Sequence, residues 1–157
     1  MQNKKILILG ATGQIGKELS LILNENKEIS VTCHARTKVS AAFLLEKIID
    51  CVICPTKSEM LKKEINNSDL IFDLAAPNSG SLNEIKNFYK ERFNFIINNM
   101  KAKTKFVFAS TMNAYGISEK NNKLKNYFFP SSIYAANKRY AVKYSAKLAK
   151  KNSIEIF

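Results

Sequence analysis

The chain has 157 residues, 46% apolar and 24% charged, which fits one soluble globular domain with a real core and is short for a domain plus a separate substrate module. No window approaches the roughly 18 uninterrupted apolar residues of a membrane span, and the apolar run after Lys4-Lys5 breaks at Gly10 without a cleavage region, so a cytoplasmic protein with no membrane partner is expected. The net charge of +12 comes from lysines scattered among asparagines and concentrated only from Lys138 to Lys151; it predicts a solvated surface that favours anionic ligands, and no nucleic-acid partner.

Lys5-Ile6-Leu7-Ile8-Leu9 is a short continuous apolar run, the pattern of a strand buried on both faces. After the turn Gly10-Ala11-Thr12-Gly13-Gln14-Ile15-Gly16, Ile15, Leu19, Ile22 and Leu23 recur at helical spacing, and Asn24 to Lys27 close that helix. The alternation then repeats, with a strand over 29–34, a helix over 41–49, and a strand over 51–54 stopped by Pro55. A short helix over 58–65 has Glu59 in its first turn, and a fourth strand covers 69–74. From Ser81, the spacing of Ile85, Phe88, Tyr89, Phe93, Ile96, Ile97 and Met100 predicts a long helix, followed by a fifth strand over 105–109. The polar stretch 116–131, with Asn121-Asn122 and Pro130, is expected to be a surface loop. A helix over 132–151 and the start of a sixth strand at Ile154-Glu155-Ile156-Phe157 complete the chain. Strands and helices alternating in this way predict an α/β fold. It is a Rossmann-like doubly wound parallel sheet in three layers, α/β/α, with right-handed crossovers, read as one domain over 1–157.

Gly10, Gly13 and Gly16 form G-x-x-G-x-x-G between a predicted strand and a predicted helix. The first glycine serves a tight turn, the second lets the backbone approach a pyrophosphate, and the third allows close helix packing. The helix start supplies N–H groups and partial positive charge. Gly10, Thr12, Gly13, Gln14, Ile15 and Gly16 are therefore expected to hold the phosphates of a nicotinamide dinucleotide. Arg36 follows the second strand, where such a domain reads the adenosine ribose, and His34-Ala35-Arg36-Thr37-Lys38 contains no carboxylate. A 2′-phosphate suits that basic stretch, so NADP(H) is favoured over NAD(H).

Cys51-Val52-Ile53-Cys54 has C-x-x-C spacing, but no second Cys/His pair exists and His34 is the only histidine. With Cys33, these are read as structural thiols, and no metal is expected. Tyr134 and Lys138 lie four apart on a predicted helix and so share a face. A cation beside a phenol can lower its pKa from about 10 towards neutrality and make it a general acid or base. Phe106 to Ala109 then delivers two hydroxyls, Ser110 and Thr111, at the C-terminal end of a buried strand, where open α/β sheets bind ligands.

The glycine turn, the strand and loop from Asp69 to Ala76, Ser110-Thr111 with Tyr115-Gly116, and Tyr134 with Lys138 come in a familiar order and spacing. The chain resembles, over essentially its whole length, the extended short-chain dehydrogenase/reductase family, also called the NAD-dependent epimerase/dehydratase family. The resemblance implies that Tyr134 is the catalytic acid/base and that Lys138 lowers its pKa and binds the nicotinamide ribose. It implies that Thr111 hydrogen-bonds the reacting oxygen, with Ser110 the alternative. Ala75 and Ala76 resemble the small residues that let the cofactor pass, the Ala109 to Thr111 backbone the segment lining the nicotinamide, and Asn87, or else Asn94, the family's helix asparagine.

The implied activity is that of an NAD(P)-dependent epimerase, dehydratase or reductase acting on a nucleotide-sugar or a similar hydroxyl or keto substrate, whether the net result is oxidoreduction or isomerisation. The alternative is a non-catalytic, sensing or vestigial NAD(P)-binding domain. Two departures stand out. Cys54-Pro55-Thr56-Lys57 lacks the acidic residue that family members commonly place after the third strand to bind adenine. The sequence also stops at Phe157 inside the expected sixth strand, so a fragment or a naturally short product without the substrate-binding C-terminal part is expected. The strand edge left there predicts homo-oligomerisation.

Overall fold

The computed structural model describes residues 3–77, 79–111, 114 and 132–157; the expected loop over 116–131, with Tyr115 before it, lies outside the described residues. The chain divides into two compact units, one of Met1–Ala76, Phe95–Ala109 and Ile154–Phe157, the other of Pro77–Asn94 and Ser110–Ser153.

The first unit holds β1 (Lys4–Leu9), α1 (Gln14–Asn24), β2 (Ile29–Ala35), α2 (Lys38–Glu46), β3 (Cys51–Ile53), α3 (Glu59–Asn67), β4 (Leu70–Asp73) and, later in the chain, β5 (Lys105–Phe108). Between β4 and β5 runs α4 (Leu82–Asn99), whose last residues belong to this unit. All strand pairs are parallel, in the order β3-β2-β1-β4-β5, so the winding reverses between β1 and β4. This is the Rossmann-like α/β sheet that the strand–helix alternation predicts.

Register explains how the apolar runs are used. Ile6 and Ile8 stand beside Val31 and Cys33 on one side and Leu70 and Phe72 on the other. That face packs with Leu44, Ile49 and the Leu19 and Leu23 positions of α1 into one core cluster. Leu7 aligns with Ile71 and Phe106, and Leu9 with Asp73 and Phe108, on the opposite face. α3 packs against β1, with its Leu61 and Ile65 fully buried. Each such side chain contributes about 1.5–3 kcal/mol by leaving water.

Most boundaries shift by a residue or two, and that of α2 by three. The helix expected over 41–49 runs instead from Lys38 to Glu46 because local hydrogen bonding overrides apolar spacing. Thr37 Oγ1 accepts the Ser40 N–H at 3.2 Å while Ser40 Oγ accepts the Thr37 N–H at 3.3 Å, a reciprocal cap that fixes the start. At the other end the Ile49 N–H bonds Leu44 O and the Ile48 N–H bonds Leu45 O, with Ile48 left-handed at φ 55°. Ile49 is therefore buried from the loop and not from the helix. The third strand ends at Ile53, one residue early. The expected sixth strand begins on the β5 edge, where the Phe157 N–H bonds Phe106 O at 2.9 Å and the Phe108 N–H bonds Phe157 O at 2.8 Å.

The second unit contains the start of α4 and all of α5 (Ile133–Asn152). Ser81 and Glu84 cap α4, the Glu84 carboxylate accepting the Ser81 N–H at 2.7 Å and its hydroxyl at 2.8 Å. These bonds hold the Glu84 carboxyl below its usual pKa. Ser132 caps α5 by accepting the Ala135 N–H at 3.1 Å. Among the described residues, no helix is long and apolar enough to cross a membrane.

Candidate functional site

In the first unit the candidate cofactor residues gather at the C-terminal ends of the strands. Gly10 follows β1, Arg36 follows β2, Ala75 and Ala76 follow β4, and Ala109 follows β5. The Gly10 turn sits where the winding reverses, the position at which open α/β sheets bind ligands.

The three glycines have different reasons to be glycine. Gly10 has φ +80°, and a Cβ there would lie 2.6 Å from the Ala75 nitrogen. A Cβ on Gly16 would collide with the Gly10 oxygen and lie 2.6 Å from Ala11 Cα, so this residue allows α1 to press against the turn. Gly13 has an ordinary φ of −78°, and a Cβ would meet only the Gly10 oxygen, at 3.4 Å. The protein's own packing thus demands Gly10 and Gly16 but leaves the space beside Gly13 open.

The start of α1 fits an anionic guest. No side chain caps it and no acidic residue occupies its first turn, whereas Thr37, Ser58 and Ser132 cap α2, α3 and α5. Unsatisfied N–H groups there carry partial positive charge. Thr12 is half-buried beside them, while Gln14 and Ile15 are exposed. Arg36 is exposed. Ala75 is half-buried and Ala76 exposed, as open passage for a ligand requires.

Asp73 is a residue that the sequence reading did not single out. It is fully buried at the end of β4, between the register positions of Leu9 and Phe108, and its Oδ1 accepts the Ala75 N–H at 3.2 Å. The carboxylate thereby pins the small-residue loop that approaches Gly10. Its only trace in the sequence is one acid inside the apolar run Leu70-Ile71-Phe72-Asp73-Leu74.

The cysteines are all free thiols. Cys33 is buried with its sulfur 3.1 Å from Ser20 Oγ, and burial pushes its thiol up to about 11. Cys51, opposite it in register, is also raised by burial. Ring nitrogen Nε2 of buried His34 lies 2.9 Å from the Cys54 carbonyl oxygen. Among the described residues, no group of three His, Cys, Asp or Glu side chains could hold a metal ion.

In the second unit α5 brings Tyr134 and Lys138 together. Tyr134 is 51% exposed near the helix start, whereas Lys138 is only 3% exposed. Lys138 Nζ lies 6.0 Å from the Tyr134 ring centre and 5.8 Å from that of buried Tyr89 on α4. A pocket of about 200 Å³ opens beside them, lined by Pro77, Ser79, Gly80, Ile85, Tyr89, Ile133, Tyr134 and Asn137. Ser110 is exposed and Thr111 half-buried just beyond β5, and the Thr111 carbonyl accepts the Ala114 N–H at 3.1 Å. Of the two asparagine candidates on α4, Asn87 is exposed, whereas Asn94 accepts the Tyr144 hydroxyl at 3.2 Å.

The parallel sheet with its glycine turn at the winding reversal defines an α/β protein of the Rossmann type. The profile of the NAD dependent epimerase/dehydratase family matches residues 6–157, and the chain belongs to that family. No curated protein sequence matches it. Among solved structures it is similar to the UDP-glucuronic acid 4-epimerase from Bacillus cereus in complex with NAD, at 20% identity and a TM-score of 0.76, covering 97% of this chain and 54% of that one. The UDP-N-acetylglucosamine 4-epimerase from Methanobrevibacter ruminantium is 22% identical with a TM-score of 0.72, covering 99% and 54%. The ADP-L-glycero-D-manno-heptose-6-epimerase from Helicobacter pylori is 16% identical with a TM-score of 0.71, covering 94% and 52%. At these identities the likeness is one of fold, and the chain spans about half the length of the structures it matches.

Proposed function

We propose that this chain is the cofactor-binding and acid/base part of an NAD(P)-dependent epimerase or dehydratase whose substrate is a nucleotide-sugar. The observation that carries the proposal is Gly13. It is a glycine that neither backbone strain nor protein packing requires, set at the uncapped start of α1, as a pyrophosphate pressed against the backbone would require. Thr12, Gln14, Ile15 and the first N–H groups of α1 would complete that cradle, with Ala75, Ala76 and Ala109 giving the dinucleotide room. Arg36 would receive a 2′-phosphate, which favours NADP(H) over NAD(H).

When bound, the nicotinamide supplies a centre that takes a hydride from a carbinol carbon and returns it. Tyr134 then moves the accompanying proton at its phenolic oxygen, and Lys138 stabilises the phenolate and holds the nicotinamide ribose. Thr111, with Ser110 as the alternative, orients the reacting oxygen. Lys138 suits this role because its ammonium is buried beside two aromatic rings, where its charge is poorly screened.

Titration with NADPH and NADH, followed by nicotinamide fluorescence, tests the cofactor claim, and failure of both to bind at sub-millimolar levels sinks it. Dinucleotide binding without turnover of any nucleotide-sugar would leave the non-catalytic binding domain as the better account.

A further inference from the structure

Asn137 lies between Tyr134 and Lys138 on α5, is 3% exposed, and lines the same pocket as Tyr134. Its Oδ1 is buried and has no hydrogen-bond partner among the described residues. Leaving a buried acceptor unpaired costs about 1–3 kcal/mol, so a side chain of this kind calls for a partner that none of the described residues supplies. The remaining pocket wall is apolar or weakly polar, formed by Pro77, Gly80, Ile85, Ile133, Tyr89 and Ser79, and among the described residues no charged side chain lines it.

We propose that Asn137 is a specificity-determining residue of the substrate site, its carboxamide oxygen accepting a hydrogen bond from a neutral donor, a hydroxyl or an acetamido N–H, on the sugar ring whose oxygen Tyr134 handles. This rests on the nucleotide-sugar function proposed above. Tyr134 and Asn137 are three residues apart on one helix face, with side chains about 5–6 Å apart at their roots, so both can reach substituents of a single ring. A pocket of about 200 Å³ has room for one such ring. An acceptor oxygen in a wall whose described lining is uncharged disfavours a carboxylate, which offers only acceptors, against a neutral donor. The preferred sugar is therefore a neutral or N-acetylated hexose and not a uronic acid.

Calorimetry with UDP-glucose, UDP-N-acetylglucosamine and UDP-glucuronate, in the presence of NADPH, tests this on the wild-type chain and on Asn137→Leu and Asn137→Ser. The wild type is expected to bind one of the neutral sugars at least about tenfold tighter than UDP-glucuronate. Asn137→Leu, close to isosteric, should lose about tenfold for that sugar and keep its NADPH affinity while its melting temperature rises, because an unpaired acceptor has been removed. Asn137→Ser, smaller and still an acceptor, should fall between the two if leucine disturbs the packing. Unchanged sugar affinity in both variants, or a preference for UDP-glucuronate, overturns the role of Asn137 and leaves the wider function standing. A wild type that binds NADPH but none of the three sugars overturns both.

Discussion

Lys138 holds its ammonium 6.0 Å from the centre of the Tyr134 ring, one helical turn away, with the lysine buried and the tyrosine half exposed. The asymmetry separates their mutants. Tyr134→Phe removes one oxygen from a ring that already meets solvent, so the melting temperature should hardly move and NAD(P)H should still bind. Turnover should drop by about 10²–10⁴-fold, the usual worth of a general acid or base. Lys138→Met keeps the buried stem but removes the charge, so it should lose turnover and weaken dinucleotide binding together. Equal dinucleotide affinities in the two variants would contradict the assignment of the ribose contact to Lys138.

The turn glycines make a second test, because only one of them is free of structural duty. Gly16→Ala drives a methyl into the Gly10 oxygen and Ala11, and Gly10→Ala adds strain at φ +80° to a 2.6 Å clash with the Ala75 nitrogen. Both should destabilise the fold by several kcal/mol, on the order of an overpacked core. Gly13→Ala meets only one atom at 3.4 Å and should melt close to the wild type. It should nevertheless lose dinucleotide affinity by at least about tenfold, since the methyl takes the space of the pyrophosphate. Thermal denaturation and fluorescence titration on the same three variants decide it.

Arg36 leaves the end of β2 into solvent. If it receives a 2′-phosphate, Arg36→Asp should weaken NADPH by about tenfold or more while NADH binding holds or improves, since a carboxylate suits a 2′-hydroxyl. The NADPH loss should shrink at high salt, as an exposed charge contact is screened. A variant that loses both cofactors equally would mean that Arg36 does not read the ribose.

Much of this was legible in the sequence because period and punctuation agree. The run from Ile6 to Leu9 and the strand–helix alternation that follows give the parallel α/β sheet, and Gly10 to Gly16 mark the turn, whereas the strand order comes from the structure. The family resemblance supplied what local pattern cannot, the roles proposed for Tyr134, Lys138 and Thr111. Two kinds of feature stayed hidden. The α2 boundary depends on the Thr37–Ser40 cap and the left-handed Ile48, which apolar spacing does not register. Asp73 and Asn137 matter through what does or does not pack against them. An acid pinning a loop, or an acceptor without a donor among the described residues, is a property of tertiary contact and leaves no mark at a fixed spacing.

Ile48 offers a stability test independent of function. It is 89% exposed, so its side chain contributes little burial, and its left-handed φ of 55° is unfavourable for a β-branched residue by about 1–2 kcal/mol. Ile48→Gly should therefore stabilise the chain by up to about 1 kcal/mol after the added freedom of the unfolded glycine is counted. Urea denaturation reads the change, and a loss of stability would mean that Ile48 makes a packing contribution its exposure conceals.

The thiols give a pH dependence whose sign follows from burial. Cys33 is raised from 9.0 to about 11, chiefly because burial penalises the thiolate, and the hydrogen bond with Ser20 only partly offsets this. Above pH 9 an unfolded Cys33 ionises while the folded one keeps its proton, so ionisation favours unfolding. The stability is fully present below pH 9 and is lost as pH rises towards 11. The loss reaches on the order of 2 kcal/mol near pH 10.5. Many lysines titrate over the same range, so the contribution is read as a difference: the gap between wild type and Cys33→Ala in urea denaturation should narrow by that amount between pH 8.5 and 10.5. Iodoacetamide at pH 8 adds a kinetic check. Cys51 is half-buried, whereas Cys33 and Cys54 are buried, so Cys51 should be alkylated first and Cys33 only as the chain opens. Labelling of Cys33 ahead of Cys51 under native conditions would show that the β2 core is reached by solvent, and the alkaline loss should then vanish with it.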